Sequence, residues 1–371
     1  MSTYFDAYRI DHILGFFRIF RTPTTSRLGL LGQFTPALPL SKEEIESYGI
    51  PFDENLLCEP IINDAILKEI FGGETEFVIK NYLTRICINE YQEYQLNSDV
   101  NTQEKIDKKL GLDQKSDNIR KGLYLLCCQV MFVEDYKEKG KYHPRISITQ
   151  SFLYKTLRDE LQNKIREIYE YFHYRRHNEF WRSQALEKLT PLVNCTDMMV
   201  CGEDLGMVPQ CVPSVMNDLE ILSLEIQRMP KDYVEFGSLN RMPRMSVCTT
   251  STHDMSTMRQ WWQEERDSIQ HYFSNELHQY GEAPQFCEPW ICQQIIENHL
   301  NSPSLCVILP LQDWMATDGR IRWSETFKER INDPGNPDNY WHYRMHIRIE
   351  DLLQADEFNE RIKHLIVKSC R

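Results

Sequence analysis

Three acidic residues follow short apolar runs at widely separated points of the 371-residue sequence: Asp11, Glu203 and Asp254. Glycosyl transfer with retention of configuration needs one carboxylate as a nucleophile and one carboxylic acid that protonates the leaving oxygen. Further groups that hold the sugar hydroxyls stabilise the transition state. Three such residues gathered at one surface would therefore suit chemistry at a glycosidic bond.

The first of these residues has a basic neighbour, Arg9, two positions before it. Side chains at i and i+2 of a strand point to the same side, so the guanidinium of Arg9 favours the ionised carboxylate of Asp11. An ionised carboxylate is what attack at the anomeric carbon requires. A purely structural ion pair explains these two residues equally well when they are taken alone.

The other two acids also have structural alternatives. Glu203 follows Gly202, which permits close packing, and a glutamate at an apolar strand end is a candidate general acid and base. Its alternative is an acid near a helix N-terminus. His253 and Asp254 supply a donor and an acceptor for vicinal diols, or a helix cap. For Glu203, and for His253 with Asp254, the structural alternative is favoured when the cluster is considered alone. The occurrence of three such clusters in one chain favours the functional interpretation.

The elements that must position these clusters are short strands separated by helical patterns. Strands alternating with helices indicate a parallel sheet, and therefore an α/β protein. In a (β/α)8 barrel the catalytic residues lie where strands end in loops. The three clusters follow predicted strands in the same way. The predicted strands lie within residues 4–11, 197–204, 221–225, 246–254 and 305–310, and helical patterns occupy 255–280 and 288–301.

The long stretch between the first two clusters, residues 22–190, has a mainly helical pattern. Ser41 followed by Glu44 predicts a helix start. Asn63 is predicted to cap a helix that ends at Gly72. The polar and charged residues 95–119 predict an exposed excursion, and residues 148–186 predict a long helical stretch.

Composition excludes several classes of protein. Fifty-five acidic against 42 basic residues give a net charge of −13, so nucleic acid and an anionic membrane are poor partners, and a neutral substrate is compatible. No apolar run approaches the ~20 residues of a membrane span. Twelve cysteines without a CxxC pair favour a reducing, cytoplasmic setting. His173 and His177 have metal-ligand spacing, but no third ligand is evident, and we expect no metal.

The three clusters also match a known family, in order along the chain. The runs 8–12 (YRIDH), 202–206 (GEDLG) and 252–254 (THD) resemble the 4-α-glucanotransferases (amylomaltase or disproportionating enzyme) of glycoside hydrolase family 77. Residues 309–313 and 332–335, with Trp341 and Arg344, are similar to the closing segments of that family. The resemblance covers nearly the entire chain outside part of its helical middle.

The resemblance implies a residue-by-residue assignment of roles. Asp11 is the expected nucleophile, Glu203 the acid/base, and Asp254 the third carboxylate that holds ring hydroxyls. It also implies a retaining double displacement that needs no cofactor or metal. The residues assigned to substrate binding are Arg9, His12, His253, Trp261 and Asn332.

The resemblance also implies an architecture. The 192 positions between Asp11 and Glu203 resemble the insertion of the larger, plant-cytosol-like members. We therefore expect residues 1–21 and 191–371 to form the C-terminal part of a TIM-type (β/α)8 barrel with about five strands, and residues 22–190 to form a mainly helical insertion. The first barrel strands are expected upstream of this sequence.

The expected activity follows from the same family. It is transfer of α-1,4-linked glucosyl or glucan segments between maltose, malto-oligosaccharides and larger α-glucans. Two alternatives remain open: an α-glucan hydrolase, in which water replaces the sugar acceptor, and a catalytically inactive fragment that only binds glucan. The oligomeric state is left open.

Overall fold

The computed structural model describes residues 2–86, 92–111, 117–336, 338–341 and 343–371. Within them the strands are β1 (Ala7–Ile10), β2 (Ile19–Arg21), β3 (Gln33–Thr35), β4 (Leu40–Ser41), β5 (Leu83–Arg85), β6 (Tyr94–Leu96), β7 (Phe132–Glu134), β8 (Lys141–Pro144), β9 (Met199–Gly202), β10 (Ser223–Ile226), β11 (Ser246–Thr249) and β12 (Cys306–Val307).

The α-helices of the same residues are α1 (Lys42–Ser47), α2 (Glu54–Leu57), α3 (Asp64–Phe71), α4 (Thr75–Tyr82), α5 (Gln103–Leu110), α6 (Asp117–Cys127), α7 (Phe152–Thr156), α8 (Asp159–Tyr174), α9 (Asn178–Val193), α10 (Val212–Asp218), α11 (Met258–Glu264), α12 (Arg266–His271), α13 (Pro289–Leu300), α14 (Leu311–Met315), α15 (Ile349–Leu353) and α16 (Asp356–Lys368). Short 3-10 helices span Ile13–Phe16, Gly29–Leu31, Gly72–Glu74, Ile148–Gln150, Leu239–Arg241 and Thr326–Glu329, and a π-helix spans Tyr272–Glu276. No helix of the described residues is both long and apolar enough for a membrane crossing.

The chain divides into two compact units. The sheet unit comprises Met1–Ile13, Leu189–Val208 and Val212–Arg371, and the helical unit comprises Leu14–Lys188 with Pro209–Cys211. Each unit has its own core, and each is described by itself.

Parallel strands form the centre of the sheet unit. β1 pairs with β9 so that Ile10 lies opposite Gly202, and β11 lies between β10 and β12. A parallel bridge between Cys201 and Leu222 continues the order from β9 towards β10, with the Leu222 amide donating to the Val200 carbonyl at 2.9 Å. The sequence-based prediction of an α/β protein is confirmed, and all five predicted strands are present, though shorter than their apolar runs.

Helices between these strands supply the apolar cover of the sheet. α10 follows β9, while α11, α12 and α13 lie between β11 and β12, as the crossover connection of parallel strands requires. The predicted helical stretches 255–280 and 288–301 correspond to these last three helices. Their buried side chains form one cluster, which includes Met258, Trp261, Trp262, Ile269, Tyr272, Phe273, Ile291, Cys292 and Ile295.

Capping residues define the helix starts of the helical unit. Ser41 and Glu44 form a reciprocal capping box at α1, and the Asn63 side chain accepts from the Ile66 amide at 3.0 Å at the start of α3. That helix ends at Gly72, whose φ is +53°, a conformation that glycine adopts without a Cβ penalty. Both predicted helix starts are therefore confirmed.

The helical unit differs from the sequence-based prediction in two respects. It contains three small antiparallel sheets, β2–β3, β4–β8–β7 and β5–β6, which the helical pattern did not predict. Residues 95–119 were wrongly expected to be an exposed excursion. Val100 and Ile106 are fully buried in the core of the helical unit. Ile106 lies on the buried face of α5, an amphipathic helix whose lysines lie on its other face. Residues 112–116 of that stretch lie outside the described residues.

Two histidines of the helical unit are buried among aromatic rings. His177 stacks on Trp181 with ring centroids 4.4 Å apart, and its Nδ1 lies 2.8 Å from the carbonyl of Phe172. His173 Nε2 lies 3.1 Å from the Pro144 carbonyl. Burial lowers the pKa of His173 to about 4 and that of His177 to about 3. Both imidazoles are therefore neutral at pH 7, and their helical spacing places both rings among the aromatic side chains of the core.

We expect these two histidines to make the protein sensitive to mild acid. Their folded pKa values lie below the ordinary value of 6.5, so the unfolded chain binds more protons below pH 6.5, and stability falls as the pH falls towards 4. At ~1.4 kcal/mol per pKa unit, the two groups together remove roughly 4 kcal/mol by pH 5. Urea denaturation at pH 7 and pH 5 measures this loss together with that of His299, whose pKa burial also lowers to about 4.

A matched pair of variants assigns that loss to the buried rings. His177→Phe should be less stable at pH 7, because it loses a hydrogen bond, yet show a smaller difference between pH 7 and pH 5. His271→Gln changes a histidine whose side chain is 62% exposed and should keep the full difference. Equal pH dependence in His177→Phe and the wild type would contradict the assignment.

Candidate active site

The pairing of β1 with β9 brings Asp11 and Glu203 to the same edge of the sheet. Each residue directly follows its strand, and the register places Ile10 opposite Gly202. The Glu203 amide donates to the Ile10 carbonyl at 2.9 Å, and the Ile13 amide donates to the Glu203 carbonyl at 3.1 Å. Two adjacent strands are ~4.8 Å apart, so the two carboxylates project from neighbouring positions.

Both carboxylate oxygens of Glu203 accept backbone hydrogen bonds. Oε2 accepts from the His12 amide at 3.0 Å, and Oε1 accepts from the Leu205 amide at 3.0 Å. His12 reaches this position with a φ of +50°, which is uncommon for a residue with a side chain. Each oxygen of a carboxylate has two lone pairs, so both oxygens of Glu203 keep one lone pair for a proton or a substrate.

Gly202 is required by close packing at the same strand end. A Cβ at this position would lie 2.8 Å from Cδ1 of Ile13 and 3.1 Å from Cε of Met216. Ile13 is fully buried, so its side chain cannot move aside freely. Glycine thus lets the strand that ends at Glu203 pack against the turn that carries Asp11.

The turn after Glu203 is fixed by its neighbour, Asp204, which is buried. One oxygen of Asp204 accepts from the Leu224 amide at 3.0 Å, and the other lies 2.7 Å from the Lys231 ammonium. Lys231 also reaches Glu225 at 2.8 Å. The end of β9 is therefore tied to β10 by a charged side chain as well as by the backbone.

Arg9 connects the β1 carboxylate to the third cluster. Its guanidinium lies 2.8 Å from Asp11 Oδ1 and 3.4 Å from His253 Nδ1. Nε2 of His253 lies 3.2 Å from Asp254 Oδ2 and 4.0 Å from Asp11 Oδ2. Because a guanidinium only donates, Nδ1 accepts from Arg9, and a neutral His253 carries its proton on Nε2, towards Asp254.

Asp254 is oriented from its other side by an amide. Asn332 is buried, and its Nδ2 donates to Asp254 Oδ1 at 2.7 Å. Its Oδ1 in turn accepts from Asn339 Nδ2 at 2.7 Å, and its carbonyl accepts from Arg330 Nε at 2.9 Å. The structure thus brings Asn332 to the carboxylate cluster, where the sequence analysis expected it.

Two buried acids support the turns of the site without belonging to the exposed cluster. Asp313 is fully buried and accepts from the hydroxyls of Thr250 and Ser251 and from the Met258 amide. Burial raises the pKa of this carboxyl against those hydrogen bonds. The segment 250–258, which carries His253 and Asp254, therefore rests on Asp313.

The second buried acid is Glu329, at the end of a 3-10 helix. Its carboxylate accepts from Arg259 and from the Thr257 hydroxyl, and burial raises its pKa to about 7 although Arg259 opposes the shift. The Gln312 amide donates to its carbonyl at 3.3 Å. Glu329 anchors the segment that continues to Asn332.

A cavity of about 340 Å³ lies next to Arg9 and His253, the two residues of the cluster that line it. Apolar side chains of β9, β10, β11 and the segment after β12 form much of the rest of its wall. Its lining includes Arg9, Thr252, His253, Cys201, Leu224, Val247, Met255, Ile308, Leu309, Gln312 and Glu329. This volume lies within the ~300–1,000 Å³ of small-molecule sites.

The structure brings most of the site residues predicted from the sequence close together, but not all of them. Asp11, Arg9, His253, Asp254 and Asn332 form one network of side-chain hydrogen bonds and ion pairs. The carboxylate of Glu203, hydrogen-bonded to the His12 amide, lies at the end of the neighbouring strand. Trp261 does not join these residues, because it is 4% exposed and packs edge-on against Tyr272 and Phe236 in the helical core of the sheet unit. We therefore do not place Trp261 among the substrate-binding residues.

Several residues of the site were given no role by sequence reasoning, although residues 309–313 and Trp341 belong to the segments that resemble the family. Asp313 follows an apolar run, 305–310, and the strand-end signal that selected Asp11 would also have selected it. Trp341 lies against His253 with ring centroids 5.1 Å apart, and no spacing rule connects it to that residue. Glu329 and Asn339 gave no signal either, because their roles depend on contacts with distant parts of the chain.

Comparison with known proteins agrees with the site. The family model of glycoside hydrolase family 77, described as 4-alpha-glucanotransferase, matches residues 1–350. The chain therefore belongs to the 4-alpha-glucanotransferase family. It is 37% identical over 382 residues to the 4-alpha-glucanotransferase DPE2 of rice, covering 100% of this chain and 40% of that protein.

More distant relatives cover less of the chain. The 4-alpha-glucanotransferase of Chlamydia pneumoniae is 29% identical over 187 residues, covering 49% of this chain and 35% of that one. A solved amylomaltase from Streptococcus agalactiae in complex with acarbose is 13% identical with a TM-score of 0.39, covering 78% of this chain and 50% of that one. That structural similarity is too low to carry an argument. The chain spans about two fifths of the length of its rice relative.

We expect His12 to act at this site through its backbone rather than through a large side chain. Glycine adopts a positive φ freely, whereas a β-branched residue does not. His12→Gly should stay within ~0.5 kcal/mol of the wild-type free energy of unfolding, and His12→Val should lose roughly 1–2 kcal/mol. Urea denaturation of both variants measures the difference; equal losses in the two variants would contradict this account.

The buried pair of Glu329 and Arg259 gives a second expectation. Glu329→Ala leaves the Arg259 guanidinium buried without a carboxylate, and we expect it to lower the free energy of unfolding by ~3–5 kcal/mol. Glu325→Ala is the matched control, since Glu325 pairs with Lys328 at an exposed position of the same segment, where such pairs contribute at most ~1 kcal/mol. Comparable losses in the two variants would show that the buried pair is not important for stability.

Proposed function

We propose that this protein transfers α-1,4-linked glucosyl or glucan segments between malto-oligosaccharides and α-glucan acceptors with retention of configuration. The observation that carries the proposal is the position of three carboxylates, Asp11, Glu203 and Asp254, after neighbouring parallel strands, with Asp11 and Asp254 linked through Arg9 and His253, in a chain of this family. Maltose and larger α-glucans are the proposed partners, since the relatives are named for transfer of 4-α-glucosyl groups.

In the first step Asp11 attacks the anomeric carbon, the bond to the leaving oxygen breaks, and Glu203 gives its proton to that oxygen. The product is a covalent glucosyl ester of Asp11 and a shortened glucan. In the second step Glu203 removes the proton of an acceptor hydroxyl, whose oxygen attacks the same carbon and releases Asp11. Asp11 needs a free carboxylate for this role, and Arg9 at 2.8 Å supplies the stabilising charge.

The third carboxylate has a binding role in this mechanism. Asp254 is held at one oxygen by Asn332 and at the other by His253, so its remaining lone pairs point to fixed positions. Hydroxyl groups of the reacting sugar are donors that suit those lone pairs. Such hydrogen bonds stabilise the distorted sugar of the transition state because the acceptor is already oriented.

We also propose an architecture and a setting for this chemistry. The five parallel strands of the sheet unit are interpreted as part of a (β/α)8 barrel, with residues 1–21 and 191–371 contributing to it and residues 22–190 as an insertion. The site at the carboxyl ends of the strands supports this interpretation, since barrel enzymes place their chemistry there. The described cysteines are free thiols, which favours a cytoplasmic setting.

Product analysis with maltotriose tests the proposed reaction. Transfer yields glucose together with malto-oligosaccharides longer than maltotriose, and Asp11→Asn should lower that yield by at least ~1,000-fold, because the nucleophile is lost while the shape of the residue is kept. Asp6→Asn, an exposed acid just before the same strand, is the control and should retain the wild-type rate.

The products distinguish the proposal from its alternatives. Glucose and maltose without longer products would replace the proposed transfer by hydrolysis. A chain that binds maltotriose but leaves it intact would be a glucan-binding protein. Full activity in Asp11→Asn would overturn the assignment of the nucleophile.

A further inference from the structure

An exposed tryptophan, Trp341, lies directly beside the catalytic cluster. Its indole ring packs against the imidazole of His253, with centroids 5.1 Å apart and planes inclined by 40°. The same imidazole lies 3.2 Å from Asp254 and 4.0 Å from Asp11. Yet 61% of Trp341 remains exposed to solvent. A large apolar surface is therefore open at the point where two carboxylates converge.

The segment that carries this ring, residues 338–341, is attached to the site by two amide side chains. Asn339 donates to Asn332 at 2.7 Å, and Asn332 donates to Asp254 at 2.7 Å. The direction of both bonds is fixed by chemistry, because an ionised Asp254 can only accept, which turns the Oδ1 of Asn332 towards Asn339. Trp341 is thus connected to Asp254 through this relay and to His253 through ring packing.

The exposure of Trp341 is unfavourable unless something covers it. Burial of a large aromatic side chain is favourable, and this ring largely forgoes that burial. Other aromatic side chains of the sheet unit are even more exposed, such as Tyr233 and Tyr280. Trp341 differs from them by its contact with His253.

A pyranose ring has the chemistry to cover this surface. Its faces present C–H groups, which pack on an aromatic ring as other apolar groups do. Its rim presents hydroxyls, which need donors and acceptors such as Asp254, His253 and the indole N–H. A neutral ligand also suits an open aromatic face next to several acids, since no charge must be desolvated.

We propose that Trp341 is the stacking platform for a glucose ring of the α-glucan bound across the carboxylates, and that it sets the affinity of the site for that ring. This inference rests on the proposed function and adds a residue that determines substrate binding. Trp341 makes no bond to the reacting atoms in this arrangement. Its loss should therefore raise KM and Kd far more than it lowers kcat.

Titration of the full chain with maltotriose, followed by calorimetry and by intrinsic tryptophan fluorescence, tests the platform. In the wild type we expect saturable binding and a fluorescence change on addition of the sugar. Trp341→Ala should raise Kd by about tenfold or more and remove most of the fluorescence change. Trp341→Phe keeps an aromatic face and should bind within about threefold of the wild type.

Two further variants separate the platform from general effects. Trp290→Phe changes another exposed tryptophan, which packs edge-on against Phe273 rather than against His253, and should bind as the wild type does. Asn339→Ala keeps the indole but removes its relay to Asp254, and should raise Kd by a few-fold. Thermal unfolding of each variant confirms that the fold is kept.

The outcomes are distinguishable. Tight binding to Trp341→Ala, with an unchanged fluorescence response, overturns the platform and leaves the proposed function standing. A wild-type chain that does not bind maltotriose at all overturns the proposed function and the platform with it. A loss of affinity in Trp341→Ala and its recovery in Trp341→Phe support the inference.

Discussion

The parallel pairing of β1 with β9 is the constraint on which the candidate site depends. The carboxylate of Glu203 accepts a hydrogen bond from the His12 amide. The Glu203 amide donates to the Ile10 carbonyl, and the Glu203 carbonyl accepts from the Ile13 amide. These three bonds fix the acid/base candidate relative to the strand that ends at Asp11. A shift of the register by one residue would break all three and turn the side chains to the opposite face. The positive φ of His12 and the glycine at 202 are local consequences of this close approach.

The exposed acids of the site stand on buried ones. Asp313 satisfies hydroxyl and amide donors of the turn that carries His253 and Asp254, and Glu329 holds the segment that leads to Asn332 through Arg259 and Thr257. A buried carboxylate with fewer partners would be costly, so these turns tolerate little rearrangement. The exposed carboxylates, by contrast, keep lone pairs open for a ligand. The buried acids therefore hold the turns in place, while the more exposed acids remain free to bind a ligand.

How much of this could be predicted from the sequence depended on the range of the interaction. Strand ends and capping residues are local signals. The first located Asp11, Glu203 and Asp254, and the second located the helix starts at Ser41 and Asn63. Trp261 was misplaced because an aromatic residue on a helix has the same pattern whether its face meets the core or a ligand. The charged residues around Val100 and Ile106 made this stretch look exposed. A helix such as α5 nevertheless needs only one apolar face to pack against the core. Glu329 and Trp341 contact residues about 70 or more positions away in the sequence. Asn339 contacts Asn332, which is itself held by a distant residue. No periodic pattern in the sequence indicates such contacts.

The donor and acceptor roles within the site orient its side chains before any sugar is present. Arg9 can only donate, so Asp11 Oδ1 and His253 Nδ1 are both acceptors towards it. The proton of a neutral His253 then lies on Nε2 and faces Asp254, whose other oxygen is taken by Asn332. The carboxylates of Asp11 and Asp254 keep lone pairs that these contacts do not use. A ligand that offers hydroxyl donors completes this arrangement, whereas an anionic ligand would meet three carboxylates, and this is the physical reason to assign a neutral polyol to the site.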